Sequence, residues 1–348
     1  APIGEALTNG VDLAMDDLKA KGIKIQLIRQ DDTGKPQVGM SALEQLATGD
    51  EVAAVVGPYS SAVANAMAKQ AQSYKVPLLI PVASKEDITR QGYTWVFRLN
   101  APAHEYSKQL IDASMILGKP KTIAFIYEAT DFGTSVAAQG KEYAKQKGLQ
   151  VVADESYQKG APDYRSTLTA IKAKNPDLVL MVSYVADAIL LMRQSREVGL
   201  KPQAFLGGGA GFDTAQFQSE HEISNGVFSV TQWTPDTGAP GAADFAKRYE
   251  ARFGKRPTYH AATAYEAMMI MGDVVQKTGG DRTKIREALA GGAWNGIMGE
   301  VKFQTVEGFT NQNLLVMPVI QYQKGKVETV YPPKFARAKA VYPFPGWK

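Results

Sequence analysis

Short, wholly apolar stretches alternate with amphipathic ones along most of this chain, and no other feature limits its fold so strongly. "VAAVVG" (52–57), "VPLLIPVAS" (76–84), "YTWVFRLN" (93–100), "IAFIYE" (123–128), "LQVVADESY" (149–157), "DLVLMVS" (177–183) and "QAFLG" (203–207) read as strands. Runs this apolar suit a parallel sheet covered on both faces. Between them, apolar residues recur at helical spacing, as in Val38, Ala42 and Leu46, or Val63, Met67, Ala71 and Tyr74. Helices are expected over 37–48, 62–74, 134–147, 163–174 and 186–198. An opening helix carries Val11, Leu13, Ala14 and Leu18 on one face and ends at Gly22. "IKIQLIRQDD" (23–32) alternates as a further strand.

Repeated strand–helix units imply right-handed crossovers and parallel sheets. The series restarts after "LGKPKT", which divides the chain into two α/β lobes near residue 119. A length of 348 residues also exceeds what one core usually organises. The last third departs from the pattern. Helices near 240–253, 261–278 and 281–290 come almost in succession, followed by strands near 299–304, 314–323 and 326–330. They read as additions to lobes already begun. The closing "YPPKFARAKAVYPFPGWK" is rich in proline and aromatics and is expected to lie extended over a surface.

Composition removes several classes of function. With 45% hydrophobic and 21% charged residues the chain is globular. Its net charge of +4 is spread thinly, without the basic block a nucleic acid requires. The absence of cysteine excludes disulfides, thiolate metal sites and cysteine nucleophiles. No apolar run approaches the ~20 residues of a membrane helix. Of the three histidines, His104, His221 and His260, no two stand at metal-ligand spacing, and "HEISN" (221–225) lacks a second histidine one turn on. "GGGAGF" (207–212) lacks the third glycine of a dinucleotide fingerprint and is better read as backbone kept slim for close approach. No Gly-x-Ser-x-Gly elbow occurs, and the adjacent acids Asp16–Asp17 and Asp31–Asp32 point apart. Neither enzymatic chemistry nor a metal or other cofactor is indicated.

What remains is a set of strand ends with a common flavour: "GPYSSA", "PVASKED", "EATDFG", "VSYVAD" and "LGGGAG". Each places hydroxyls, small residues or an aromatic where a parallel strand gives way, which is where open α/β sheets bind ligands. Ser60 or Ser61 would cap the helix that follows. The same amides and helix dipole also favour a bound anion. Hydroxyls come from the first lobe and aromatics from the second, an inventory suited to a ligand with one anionic and one apolar end.

Taken in order, "NGVDLAMDDLKAKG", "VVGPYSSAVANAMAKQAQSYKVPLLIPVAS", "ITRQGYTWVFRL", "DFGTSVA", "MRQSREVGLKPQAFLG", "AATAYEAMMIM" and "GIMGEVKFQTVEG" resemble the type I periplasmic solute-binding proteins, in particular the branched-chain amino acid binding proteins of ABC importers. The resemblance covers essentially the whole chain. It implies an α/β fold of two doubly wound parallel-sheet lobes joined by a three-segment hinge. Lobe 1 would hold 1–119 and 250–313, and lobe 2 would hold 120–249 and 314–348. The ligand would lie in the cleft between them and the lobes close by hinge motion. A monomeric, exported protein is implied, its signal segment not in this sequence, with a membrane permease as partner and no nucleic acid.

Carried over residue by residue, the resemblance gives Ser61 to the ligand carboxylate, with Ser84 beside it and the Val82 carbonyl for an amino group. Tyr59 would line the apolar part, Phe132 would cover it, and Tyr184 matches another cleft aromatic. Two departures stand out. The amino-acid binders usually place an acid after "FLG" to pair with the ligand ammonium, where this chain has Gly209. A 2-keto acid or aromatic carboxylate suits that change better, unless another acid substitutes. The family's first strand and its Ser-Gly turn, ahead of "GEALTNG", are also missing, which implies an N-terminally shortened chain. Two rival functions share or approach this fold: a ligand-sensing receptor module and a nucleotide-dependent α/β enzyme. The lack of a complete dinucleotide fingerprint speaks against the second.

Overall fold

Leu78, Leu79 and Ile80 show how the apolar stretches are used. In a strand, neighbouring side chains point to opposite faces. Leu78 and Ile80 pack with Val63, Met67 and Ala71, while Leu79 packs with Phe97, Ala267, Ile270 and Val274. Both faces of the strand are therefore buried, as its unbroken apolar run requires. These facts come from a computed structural model, which describes residues 2–347.

The chain divides into two compact units. The first comprises everything up to Pro102 together with Thr237–Val316; the second comprises Ala103–Asp236 and the chain from Met317 onward. In the first unit a five-stranded sheet runs in the order Val55–Val56, Leu78–Ile80, Val96–Arg98, Phe309–Gln312, Gln304–Val306. All neighbours are parallel except the last pair. Helix Ser61–Tyr74 covers one face and helix Tyr259–Thr278 the other. A separate hairpin pairs Trp294–Gly296 with Gly299–Val301.

The second unit is built on seven strands, in the order Lys326–Tyr331, Val319–Gln323, Phe228–Val230, Ala204–Gly207, Leu178–Val182, Thr122–Glu128, Gln150–Tyr157. The five ending at Gln150–Tyr157 are mutually parallel, and the two from the C-terminal region are antiparallel additions. Helices Arg165–Ala173 and Val185–Glu197 cover one face through Leu168, Ile171, Leu191 and Met192. Helices Ala103–Leu117 and Asp131–Gln146 pair with each other. Gly140 makes that pairing close: a Cβ there would run into Ser107 and the Phe125 ring.

Three sequence expectations are corrected. Residues 23–32 form no strand; the stretch joins neither sheet, so its alternation has no ladder to serve. The change of unit falls at Pro102, not near 119, because helix Ala103–Leu117 packs with helix Asp131–Gln146 and not on the first sheet. The return falls at Thr237, not near 250, because helix Ala242–Phe253 packs on the opening helix Pro2–Ala20.

Helix Tyr259–Thr278 carries a buried acid. Glu266 accepts the Met298 amide at 3.3 Å, and burial pushes its carboxyl up to about 7. A carboxyl whose pKa is raised on folding favours the folded state most while protonated, below the unfolded value. Its contribution falls as pH rises towards the folded value. Glu266→Gln should therefore shrink the loss of melting temperature between about pH 5 and about pH 8. Calorimetric melts at both pH values check this; an unchanged loss would refute it.

Candidate functional site

Parallel strands bring their C-terminal loops to one edge, and each unit gathers its candidate residues there. In the first unit, strand Val55–Val56 leads through Gly57 and Pro58 into helix Ser61–Tyr74. Gly57 has φ +139°, a conformation that side chains rarely adopt. Ser60 is the N-cap, but its side chain makes no capping bond. The first intrahelical bond runs from the Ala64 amide to the Ser60 carbonyl. The amides of residues 61–63 are thus the donors that a helix start leaves over.

Ser61 does not cap its own helix either. Its Oγ accepts the amides of Ser84 and Lys85, both at 3.2 Å, from the loop after strand Leu78–Ile80. A hydroxyl oxygen has two lone pairs and one proton. With both lone pairs engaged, the proton is what Ser61 has left to offer, which makes the hydroxyl a donor suited to an anion. Ser61 and Ser84 are each 2% exposed.

Arg98 holds that loop from beneath. Wholly buried at the end of strand Val96–Arg98, it donates from Nη1 to the Lys85 carbonyl at 2.7 Å and, more weakly, to the Ala83 carbonyl at 3.5 Å. Nη2 donates to Thr89 Oγ1 and Nε to Gln312 Oε1. Val82 lies buried in the same loop. Tyr59 is half-buried, its ring edge-on to His260 at 5.7 Å.

In the second unit, Phe132 and Tyr184 stand in the first turns of two helices. Thr130 caps helix Asp131–Gln146, its Oγ1 accepting the Gly133 amide. Tyr184 is the N-cap residue of helix Val185–Glu197. Their rings stack with centroids 5.6 Å apart, and Tyr106 meets Phe132 edge-on at 6.1 Å. Lys159 places its ammonium 4.5 Å from the centroid of the Tyr184 ring, as a cation–π contact. Gln232 donates to the Tyr106 hydroxyl at 2.6 Å and fixes that ring.

Gly209 belongs to this group through Tyr106. It has φ +71° and ψ −147°, a region essentially reserved for glycine. A Cβ there would lie 3.0 Å from Tyr106 Cε1. The tyrosine ring occupies the approach that an acidic side chain at 209 would need.

Within the first unit, then, Ser61 and Ser84 meet directly and Val82 flanks them. Within the second, Phe132 and Tyr184 meet, with Gly209 one ring away. Sequence reasoning missed Tyr106, Gln232, Thr130, Glu128 and Arg98. Tyr106, Leu110 and Ala113 recur at helical spacing, a signal sufficient to find helix Ala103–Leu117. The Tyr184 amide that Glu128 accepts and the Gln312 oxygen to which Arg98 donates are distant in sequence, so these bonds leave no local signal. Among the described residues, no group of three or more His, Asp or Glu side chains could hold a metal ion. Among the described residues, too, no helix is long and apolar enough to cross a membrane.

Each unit thus gathers distinct groups at its strand ends, buried hydroxyls and helix-start amides in the first and an aromatic stack in the second. A family model described as periplasmic binding protein matches residues 1–326, and the chain belongs to that family. A Leu/Ile/Val-binding protein homolog 8 of Brucella melitensis is 32% identical, the match covering 97% of this chain and 89% of the relative. Among solved structures, a branched-chain amino acid transporter substrate-binding protein from Streptococcus pneumoniae, in complex with isoleucine, superposes with a TM-score of 0.84. It is 23% identical and covers 99% of this chain and 96% of its own. A solute-binding protein of an ABC transporter from R. palustris, in complex with benzoate, superposes with a TM-score of 0.85, at 21% identity, over 98% of this chain and 93% of its own.

Proposed function

We propose that this chain is the extracytoplasmic binding component of an ABC importer, working with a membrane permease, and that its solute is a small carboxylate without an α-ammonium group. The carboxylate end falls to Ser61, Ser84 and the amides at the start of helix Ser61–Tyr74. The apolar body falls to the Phe132–Tyr184–Tyr106 face. The observation that carries this reading is the Ser61 hydroxyl, whose lone pairs are already engaged by two amides so that it donates. Gly209 narrows the solute: no carboxylate stands there to meet an ammonium, and Tyr106 closes its place. An aromatic acid or a branched 2-keto acid fits both halves of the inventory. The R. palustris protein of the same fold, in complex with benzoate, supports the aromatic-acid choice.

A branched-chain amino acid is the second reading, favoured by the name of the Brucella relative and by a buried acid, Asp213, close to the same turn. A thermal-shift screen separates the two, because a ligand of the folded state raises the melting temperature. Benzoate and 4-methyl-2-oxopentanoate are expected to raise it, and leucine is not. Shifts by leucine and isoleucine alone would overturn the choice of solute.

A further inference from the structure

Beneath the aromatic stack lies a carboxyl group that no ligand is needed to explain. Glu128 ends strand Thr122–Glu128 and is wholly buried. Its Oε1 accepts the Thr130 hydroxyl at 2.7 Å, and its Oε2 accepts the Tyr184 amide at 3.0 Å. Thr130 is the residue that caps the helix carrying Phe132, and Tyr184 opens the next helix. Gly133 keeps the first of these helices flush with the strand end, since a Cβ there would land on the Glu128 carbonyl. We propose that Glu128 is the positioning residue for the Phe132–Tyr184 stack, one carboxylate tying together the first turns of the two helices that carry the rings.

The charge state of Glu128 matters to this role. An ionised carboxylate accepts both bonds at once. When it is protonated, one oxygen becomes a donor, and the Thr130 hydroxyl must turn to accept while still accepting the Gly133 amide. The groups around Glu128 pull in opposite directions. Burial and the Asp187 carboxylate favour the neutral form; the two hydrogen bonds and the Lys159 ammonium favour the charged one. The phenols of Tyr157 and Tyr164 share the same field. Asp187 is itself held by the Gly160 amide, and Tyr157 by Ser183 Oγ. The balance places Glu128 at about 7, where the stack senses ordinary changes of pH.

The full chain labelled with 4-fluorophenylalanine tests this by fluorine NMR, with the Phe132 resonance assigned through Phe132→Leu. Phenylalanine does not titrate, so a shift reports its surroundings. In the native protein the resonance should move with a midpoint near pH 7, and in Glu128→Gln it should be silent across the range from about pH 5.5 to about pH 8.5. Glu128→Leu removes both bonds and should displace the resonance at every pH. A native resonance that does not titrate, or the same titration surviving in Glu128→Gln, would overturn the proposal even if Glu128→Leu fails to fold. A second arm rests on the carboxylate reading above: benzoate affinity should fall about tenfold or more in Glu128→Leu and recover to within about threefold in Glu128→Gln. If neither benzoate nor 4-methyl-2-oxopentanoate binds any of these proteins, that reading is refuted, while the fluorine spectra still decide the role of Glu128.

Discussion

Ser61→Ala is expected to weaken benzoate binding by about ten- to a hundredfold, while Ser60→Ala leaves it within about twofold. The two serines are neighbours, and a capping account would rank them the other way. Ser60 occupies the N-cap yet makes no side-chain capping bond. Ser61 accepts two amides and has its proton to give. A hydrogen bond to a desolvated charge is worth about 1.5–3 kcal/mol, which sets the expected loss. The same substitution leaves the Ser84 and Lys85 amides without that acceptor, so the unliganded protein should lose about 1–3 kcal/mol of stability as well. Isothermal calorimetry and denaturant melts of both variants check the pair. Equal effects at 60 and 61 would return the serines to a purely structural role.

Gly209→Asp is expected to abolish carboxylate binding without creating an amino-acid site. The backbone at 209 lies in a region that costs other residues about 1–3 kcal/mol, and the new Cβ would press on the Tyr106 ring at 3.0 Å. Tyr106 cannot swing aside without giving up its bond from Gln232 and its contact with Phe132. An acidic side chain at 209 therefore meets both backbone strain and a tight contact with Tyr106. Calorimetry with leucine and with benzoate checks this. Leucine bound tightly by the variant would show that Tyr106 yields, and that Gly209 alone had set the choice of solute.

Much of this architecture was legible because the residues that build it act locally. Apolar runs such as "DLVLMVS" could only be strands buried on both faces, and the spacing of Val63, Met67 and Ala71 fixed a helix that the structure places at Ser61–Tyr74. The stretch 23–32 failed for the converse reason. Alternation describes a strand but does not supply its partner, and here neither sheet does. The lobe boundary misplaced at 119 followed from missing helix Ala103–Leu117, whose packing partner is the helix Asp131–Gln146.

The candidate site divides in the same way. Ser61, Ser84, Phe132 and Tyr184 were singled out through the family resemblance, and the structure places them in loops and helix starts that follow strands, Ser61 against Ser84 and Phe132 against Tyr184. How Ser61 is bonded was not readable, because its two partners arrive on a loop 23 and 24 residues away. A glutamate closing a strand, as Glu128 does, ordinarily reads as solvated; only the chain folded across it makes it a buried brace. Gly209 was noticed as a missing acid. That Tyr106 fills the approach to it became visible only with the helix that carries the ring.

A crystal structure of this chain with benzoate bound tests the central claim most directly. It should place a carboxylate oxygen within about 3 Å of Ser61 Oγ, with the Ser84 and Lys85 amides still donating to that same oxygen of serine. A carboxylate paired instead with a lysine or arginine side chain, out of reach of Ser61, would contradict it.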